Sequence, residues 1–224
     1  MSFADLKKKS SNNLQFLQKE LEKTVSTKQV DERFWKPEVD ASGNGYAVIR
    51  FLPAPDGETV PWAKVYSHAF QGPGGWYIEN SLTTLGDKDP VGEINRRLWN
   101  SGDDADKDTA RRQKRKLSYY SNIQVIKDPK HPENEGKVFL YKYGKKIHDK
   151  ILAAMQPEFQ DETPINVFDL WEGANFKLKI KKVAGFWNYD SSEFDSVSAL
   201  SSDDTELEAT WKSEHSLEAF TAAD

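Results

Sequence analysis

Apolar residues recur along this chain with two different periods, and the changes of period mark its elements. Leu14, Leu17 and Leu21 fall at helical spacing with Phe16 beside them, just after the basic-then-hydroxyl run Lys7-Lys8-Lys9-Ser10-Ser11. Pro37 and the turn Ser42-Gly43-Asn44-Gly45 open a compact region. Tyr46 to Leu52 (YAVIRFL) reads as a strand ended by Pro53. Turns follow at Pro55-Asp56-Gly57 and Gly72-Pro73-Gly74-Gly75, the second leading into a strand at Trp76-Tyr77-Ile78. Glu93 to Trp99 predicts a short helix, and Ser101 to Asp106 a polar loop, within an otherwise irregular stretch. Tyr119 to Lys127 and Val138 to Tyr143 predict two strands joined by a turn over Asp128 to Gly136. Ile147, Ile151 and Met155 lie four apart and predict a helix from Lys145 to Met155. Phe176 to Val183 is a strand with strict alternation at its start. Beyond Tyr189 the pattern fades until a short helix near Leu217 to Phe220. No repeat or linker divides the body, which predicts one mixed, mainly β domain with flexible terminal arms.

Composition sharpens this. The chain has 224 residues, 37% of them apolar, enough for one sizeable core. No apolar run could span a membrane, and the start MSFADLKKKS lacks a signal-peptide core. With no cysteine there is no disulfide, no thiolate metal site and no cysteine nucleophile, which fits a reducing cytosol. The net charge of −5 is unevenly spread. From Asp190 onward ten acids face one base, Lys212, giving −9, so the preceding residues carry +4. A mildly basic body with an acidic end suggests a polyanion partner; an acidic end that only solubilises is the plainer reading.

Candidate chemistry lies in three ring-and-base segments. Phe176-Lys177-Leu178-Lys179-Ile180-Lys181 places three lysines on one strand face, which an ordinary half-buried strand also does. Arg111-Arg112-Gln113-Lys114-Arg115-Lys116 runs straight into Tyr119 and Tyr120. Lys137 to Lys146 interleaves Tyr141, Lys142 and Tyr143. Bases for phosphates beside rings for nucleobases is the composition of a single-strand binder, because a duplex hides the faces on which bases stack. Signals for catalysis are poor. Neither Gly136-Lys137 nor Gly144-Lys145 completes a phosphate-binding loop. His68, His131, His148 and His215 form no metal-spaced cluster; His131 falls in a turn and His148 on a helix surface. Asp103/Asp104 and Asp203/Asp204 sit in polar loops, where solvation explains them.

A series of motifs then carries a resemblance. Gly43-Asn44-Gly45-x-Ala47-Val48-Ile49-Arg50-Phe51-Leu52-Pro53, Trp76-Tyr77-Ile78-Glu79, Lys114-Arg115-Lys116-x-Ser118-Tyr119, Pro132 to Phe139, Gly144-Lys145-Lys146-Ile147, Trp171 to Phe176 and Gly185-Phe186 with Asn188-Tyr189 occur in order. Together they resemble the single-stranded DNA-binding (helix-destabilising) proteins of T-even bacteriophages, over about residues 40 to 190. The resemblance implies an OB-fold-type barrel with a small helical or irregular subdomain and a basic, aromatic-lined cleft. Its cleft residues map to Arg50, Trp99, Lys114, Arg115, Lys116, Tyr119, Tyr120, Tyr141, Lys142, Phe186 and Tyr189; the basic run adds Arg111 and Arg112, and the second segment Tyr143. Lys88 stands where the family has an aromatic.

The resemblance divides the chain into an N-terminal arm (1–20), a DNA-binding core (21–190) and an acidic segment (191–224). It implies cooperative, sequence-independent coating of replication, recombination and repair intermediates in the cytoplasm of an infected bacterium. Lys7, Lys8, Lys9, Ser10 and Ser11 match the family's self-association motif, and replication and recombination proteins become expected partners. A protein-binding scaffold and a single-stranded RNA binder are the alternatives. The family also has a zinc site of one His and three Cys. Here His68 remains, Ser81 replaces the first Cys and Gly92 the last, so the expectation is no zinc, with Leu82, Leu85, Ile94 and Leu98 packing in its place.

Overall fold

A computed structural model describes residues 31–222. The chain divides into a unit Met1–Glu32, nearly all outside the described residues, and a unit Arg33–Asp224. The run Lys7 to Ser11 and the helix expected around Leu14 to Leu21 therefore lie outside the described residues.

The second unit is mixed and mainly β. Its strands are β1 (Phe34–Trp35), β2 (Gly45–Phe51), β3 (Ala63–Gly72), β4 (Gly75–Asn80), β5 (Lys116–Lys127), β6 (Val138–Tyr143), β7 (Ala174–Val183), β8 (Phe186–Asn188) and β9 (Glu193–Val197). Four α-helices join them: α1 (Pro90–Asn100), α2 (Asp104–Gln113), α3 (Lys145–Met155) and α4 (Asp204–Lys212). The hydrogen-bonded path runs β1-β6-β5-β2-β7-β8 and does not close into a barrel; β3 joins at β5 and carries β4, and β9 joins at β7.

β5 is the shared strand. Its residues 116–120 pair β3, 119–124 pair β6 and 123–127 pair β2. The β2 run from Ala47 to Phe51 is buried on both faces, which explains its continuous rather than alternating apolar character. Ile49, Phe51, Ile123, Val125, Phe176 and Leu178 form the core with Ile147 and Ile151 of α3. Burying an Ile or Leu side chain contributes roughly 1.5–3 kcal/mol each, so this cluster is the main stabilising element.

The segment after residue 190, expected as a flexible arm, is folded onto the body. β9 pairs β7, and Asp203 caps α4 by accepting from the Thr205 N–H. Leu207 packs with Leu52 and Leu170, Leu217 packs with Ala63 and Leu140, and Phe220 stacks on Tyr120. Widely spaced apolar anchors in a Ser/Asp-rich stretch leave too little periodicity to read, yet each fills a core site.

Candidate nucleic-acid interface

α1 and α2 flank a cleft of about 1070 Å³ whose lining includes Lys88, Arg96, Trp99, Arg111, Lys114 and Arg115. Both helices start on aspartate caps. Asp89 accepts from the Gly92 N–H ahead of Pro90, and Asp103 accepts from the Ala105 and Asp106 N–H groups. Arg111 and Arg112 close the last turn of α2, where cations complement the helix dipole. Lys114 and Arg115 follow at once, in the link to β5.

Trp99 is half exposed, with the Arg111 guanidinium carbon 5.3 Å from its ring centroid. Arg115 lies 4.3 Å over the Tyr66 ring, and Lys64 lies 5.4 Å over the same ring. Asp87 and Glu93 also line the cleft, together with Asp89, which His68 engages. The lining thus carries a cationic excess beside an accessible indole, the combination that holds a phosphate backbone and a stacked base.

Of the residues expected in this cleft, Trp99, Arg111, Lys114 and Arg115 line it together. Arg112 and Lys116 are exposed on its flanking segments, Arg112 bonding Thr109 Oγ1. Lys142 is exposed and lies 5.5 Å over Tyr120. Tyr120 is half-buried, and Phe220 covers a face of its ring at 4.3 Å. Phe186 is highly exposed at the β7–β8 turn, Trp187 beside it is partly exposed and Tyr189 is half-buried; none of the three belongs to the cleft lining.

Five expectations need correction. Arg50 is fully buried, its Nη2 donating to the Asp169 and Ser198 carbonyls, so its charge serves the fold and not a phosphate. Tyr119, Tyr141 and Tyr143 are core residues. Tyr119 stacks flat on His148 at 3.7 Å, while Tyr143 donates to or accepts from Ser121 Oγ at 2.9 Å. Burial raises the Tyr141 and Tyr143 phenols well above their ordinary value. His148, expected on a helix surface, is buried, and desolvation lowers its pKa.

The lysine stripe of β7 is partly spent. Lys177 pairs with Asp195 at 2.9 Å and Lys179 with Glu193 at 2.7 Å, so β9 engages two of its three lysines, while Lys181 is exposed. Sequence reasoning missed Arg96, Lys64 and Tyr66. Arg96 was within reach of it, because it precedes Trp99 by three residues on one helix and so shares its face.

The neighbourhood of His68 does not fit the zinc ion of the family that the sequence resembles. His68 Nε2 lies 2.8 Å from Asp89 Oδ2, Ser81 Oγ bonds Thr83 Oγ1, and Gly92 offers only its backbone N–H to Asp89. Among the described residues no group of three or more His, Cys, Asp or Glu could hold a metal ion. Leu82, Leu85 and Ile94, expected to pack there, are exposed, so hydrogen bonds and not apolar contacts occupy the position. Asp89 sits below the usual carboxylate range: burial pushes it up, and bonds from His68 and the Gly92 N–H outweigh that.

Comparisons with known proteins accord with this arrangement. The family described as gp32 DNA binding protein like matches residues 43–224. A single-stranded DNA-binding protein of Enterobacteria phage T2 is 48% identical over 177 residues, covering 79% of this chain and 59% of that protein. A single-stranded DNA-binding protein of Enterobacteria phage T4 is 44% identical over 201 residues, covering 89% of this chain and 67% of that one. A third, from Escherichia phage SV14, is 49% identical over 59 residues, covering 26% of this chain and 52% of that one. The match thus spans about three-fifths to two-thirds of the length of the first two relatives.

Proposed function

The chain belongs to the gp32-like DNA-binding protein family, and from that premise we infer that it binds single-stranded DNA without reading its sequence. The observation that supports this is the half-exposed Trp99 indole inside a cleft lined by Lys88, Arg96, Arg111, Lys114 and Arg115. The cations hold successive phosphates, and Trp99 offers a face to any base, since every base has one. A duplex keeps its bases stacked on one another, so the open strand is preferred. Binding the open form alone melts hairpins by mass action, with no catalytic step.

On the same reading the chain coats replication, recombination and repair intermediates in the infected bacterium, with phage replication and recombination proteins as partners. Lys7, Lys8, Lys9, Ser10 and Ser11 serve contact between neighbouring copies along the strand. The open sheet, in which β5 pairs β2, β3 and β6, is on this reading the counterpart of the OB-type barrel that the resemblance implies, a kind that presents such grooves.

Titration with oligo(dT), followed by tryptophan fluorescence, tests the reading. Quenching by the oligomer and weak response to duplex are expected, and Trp99→Ala should weaken binding by about 1–3 kcal/mol. No response to oligo(dT) overturns the reading and turns attention to a protein partner. Equal affinity for oligo(U) extends it to RNA, because stacking does not detect a 2′-OH.

A further inference from the structure

His68 joins the two walls of the cleft. It is almost completely buried, with Nδ1 3.1 Å from the Gln113 carbonyl at the end of α2 and Nε2 2.8 Å from Asp89, the cap of α1. A carbonyl and a carboxylate are both acceptors, so the ring satisfies both when each nitrogen donates. The Gln113 carbonyl also accepts from Asn95 Nδ2 at 3.0 Å, a second link from α1 to the same atom. Lys114 and Arg115 follow Gln113 directly, while Arg96 and Trp99 lie on the helix that Asp89 starts. One imidazole thereby ties the start of the α1 wall to the start of the basic run.

We propose that His68, held between Asp89 and the Gln113 carbonyl, is a positioning residue that sets the spacing of the cleft's cationic walls and makes the cleft independent of metal. The hydrogen-bonded pair takes the place that the family resemblance gives to zinc. A structural zinc site takes four ligands, usually thiolate and imidazole, and only one such side chain is present here. The cost of this solution is fragility. Removing one partner of a buried pair leaves the other unsatisfied, so the pair is expected to tolerate substitution poorly.

The proposal rests on the single-strand reading, and its test separates the two. The unaltered chain, His68→Ala, His68→Gln and Asn95→Ala are compared for metal content, far-UV circular dichroism, and oligo(dT) affinity over a range of salt. The unaltered chain should carry far less than about one zinc per molecule even after incubation with zinc sulfate, and EDTA should leave its affinity unchanged. His68→Ala should weaken binding by on the order of tenfold and make the salt slope shallower by roughly 0.7 for each phosphate that the cleft no longer neutralises. His68→Gln, whose amide still donates, should recover part of that slope, and Asn95→Ala should weaken binding less than His68→Ala does.

Stoichiometric zinc, or native affinity and slope in His68→Ala, overturns the proposal. If His68→Ala fails to fold, native affinity and slope in both His68→Gln and Asn95→Ala overturns it instead. Absence of oligo(dT) binding by the unaltered chain overturns the binding reading beneath it, and with it the positioning role.

Discussion

Arg50 spends its guanidinium inside the protein. Nη1 reaches Asn175 Oδ1 at 3.3 Å and Nη2 reaches two backbone carbonyls, while burial lowers its pKa against the charge of Asp169. Gly173 is required beside it, because a Cβ there would sit 2.6 Å from Nη2 and 2.2 Å from the Asp169 carbonyl. Arg50→Ala strands these acceptors and should cost on the order of 3 kcal/mol in urea denaturation; a loss below about 1 kcal/mol would show that water replaces it readily. Glu214 is the opposite case, a buried carboxyl whose oxygens meet no hydrogen-bond donor. Burial, with Glu58 nearby, pushes its pKa up to about 8 from 4.5. The folded chain therefore holds a proton that the unfolded chain has released, and stability declines as pH rises from 4.5 to about 8. Glu214→Gln should flatten thermal stability over that range, and an unchanged pH dependence would contradict it. His131 acts in the same direction: bonds to Glu38 and Glu133 raise its pKa. Its contribution is complete below 6.5 and is lost as pH passes the raised value, so it remains in the Glu214 variant as a smaller decline.

The elements differ in how plainly the chain announces them. β6 and α3 match the stretches that their apolar spacing marks, Val138–Tyr143 and Lys145–Met155. α2 escaped because Ala110 is its only buried residue, so no apolar stripe exists to read. Its charges carried the signal instead, with acids in the first turn and arginines in the last. β3 escaped because Lys, Ser and His interrupt its alternation, although His68 is buried. The tyrosines were legible in principle. Lys142 is exposed, so its strand neighbours Tyr141 and Tyr143 must face the other way, into the core. What the alternation of β7 alone could not reveal is β9, whose Glu193 and Asp195 pair with Lys179 and Lys177. Such exposed pairs contribute about 0–1 kcal/mol each, so Asp195→Ala should leave stability nearly unchanged. Asp103→Ala should matter more, costing about 1 kcal/mol of α2 stability through the missing cap. Because α2 carries Arg111 into the cleft, the same variant should weaken oligo(dT) binding, and helicity by circular dichroism alongside affinity checks both effects.

In the whole molecule, charge is sorted by place. Among the described residues, the acids after residue 190 lie on β9, α4 and the segments around them up to Phe220, while the cleft gathers its cations from Lys88, ahead of α1, through Arg115, ahead of β5. The motifs locate the Lys114–Lys116 stretch and Trp99 from sequence, but they also nominate Arg50 and the core residues Tyr119 and Tyr141. A motif records residue type and not which side of a strand faces solvent. The most direct measurement is therefore the salt dependence of binding to oligo(dT) and to duplex of equal length. With about three to five phosphates neutralised by the cleft, log K for the single strand should fall with log[salt] at a slope of roughly −2 to −3.5, with much weaker duplex binding throughout. Affinity independent of salt, or equal for strand and duplex, would contradict a cleft built from these cations and Trp99.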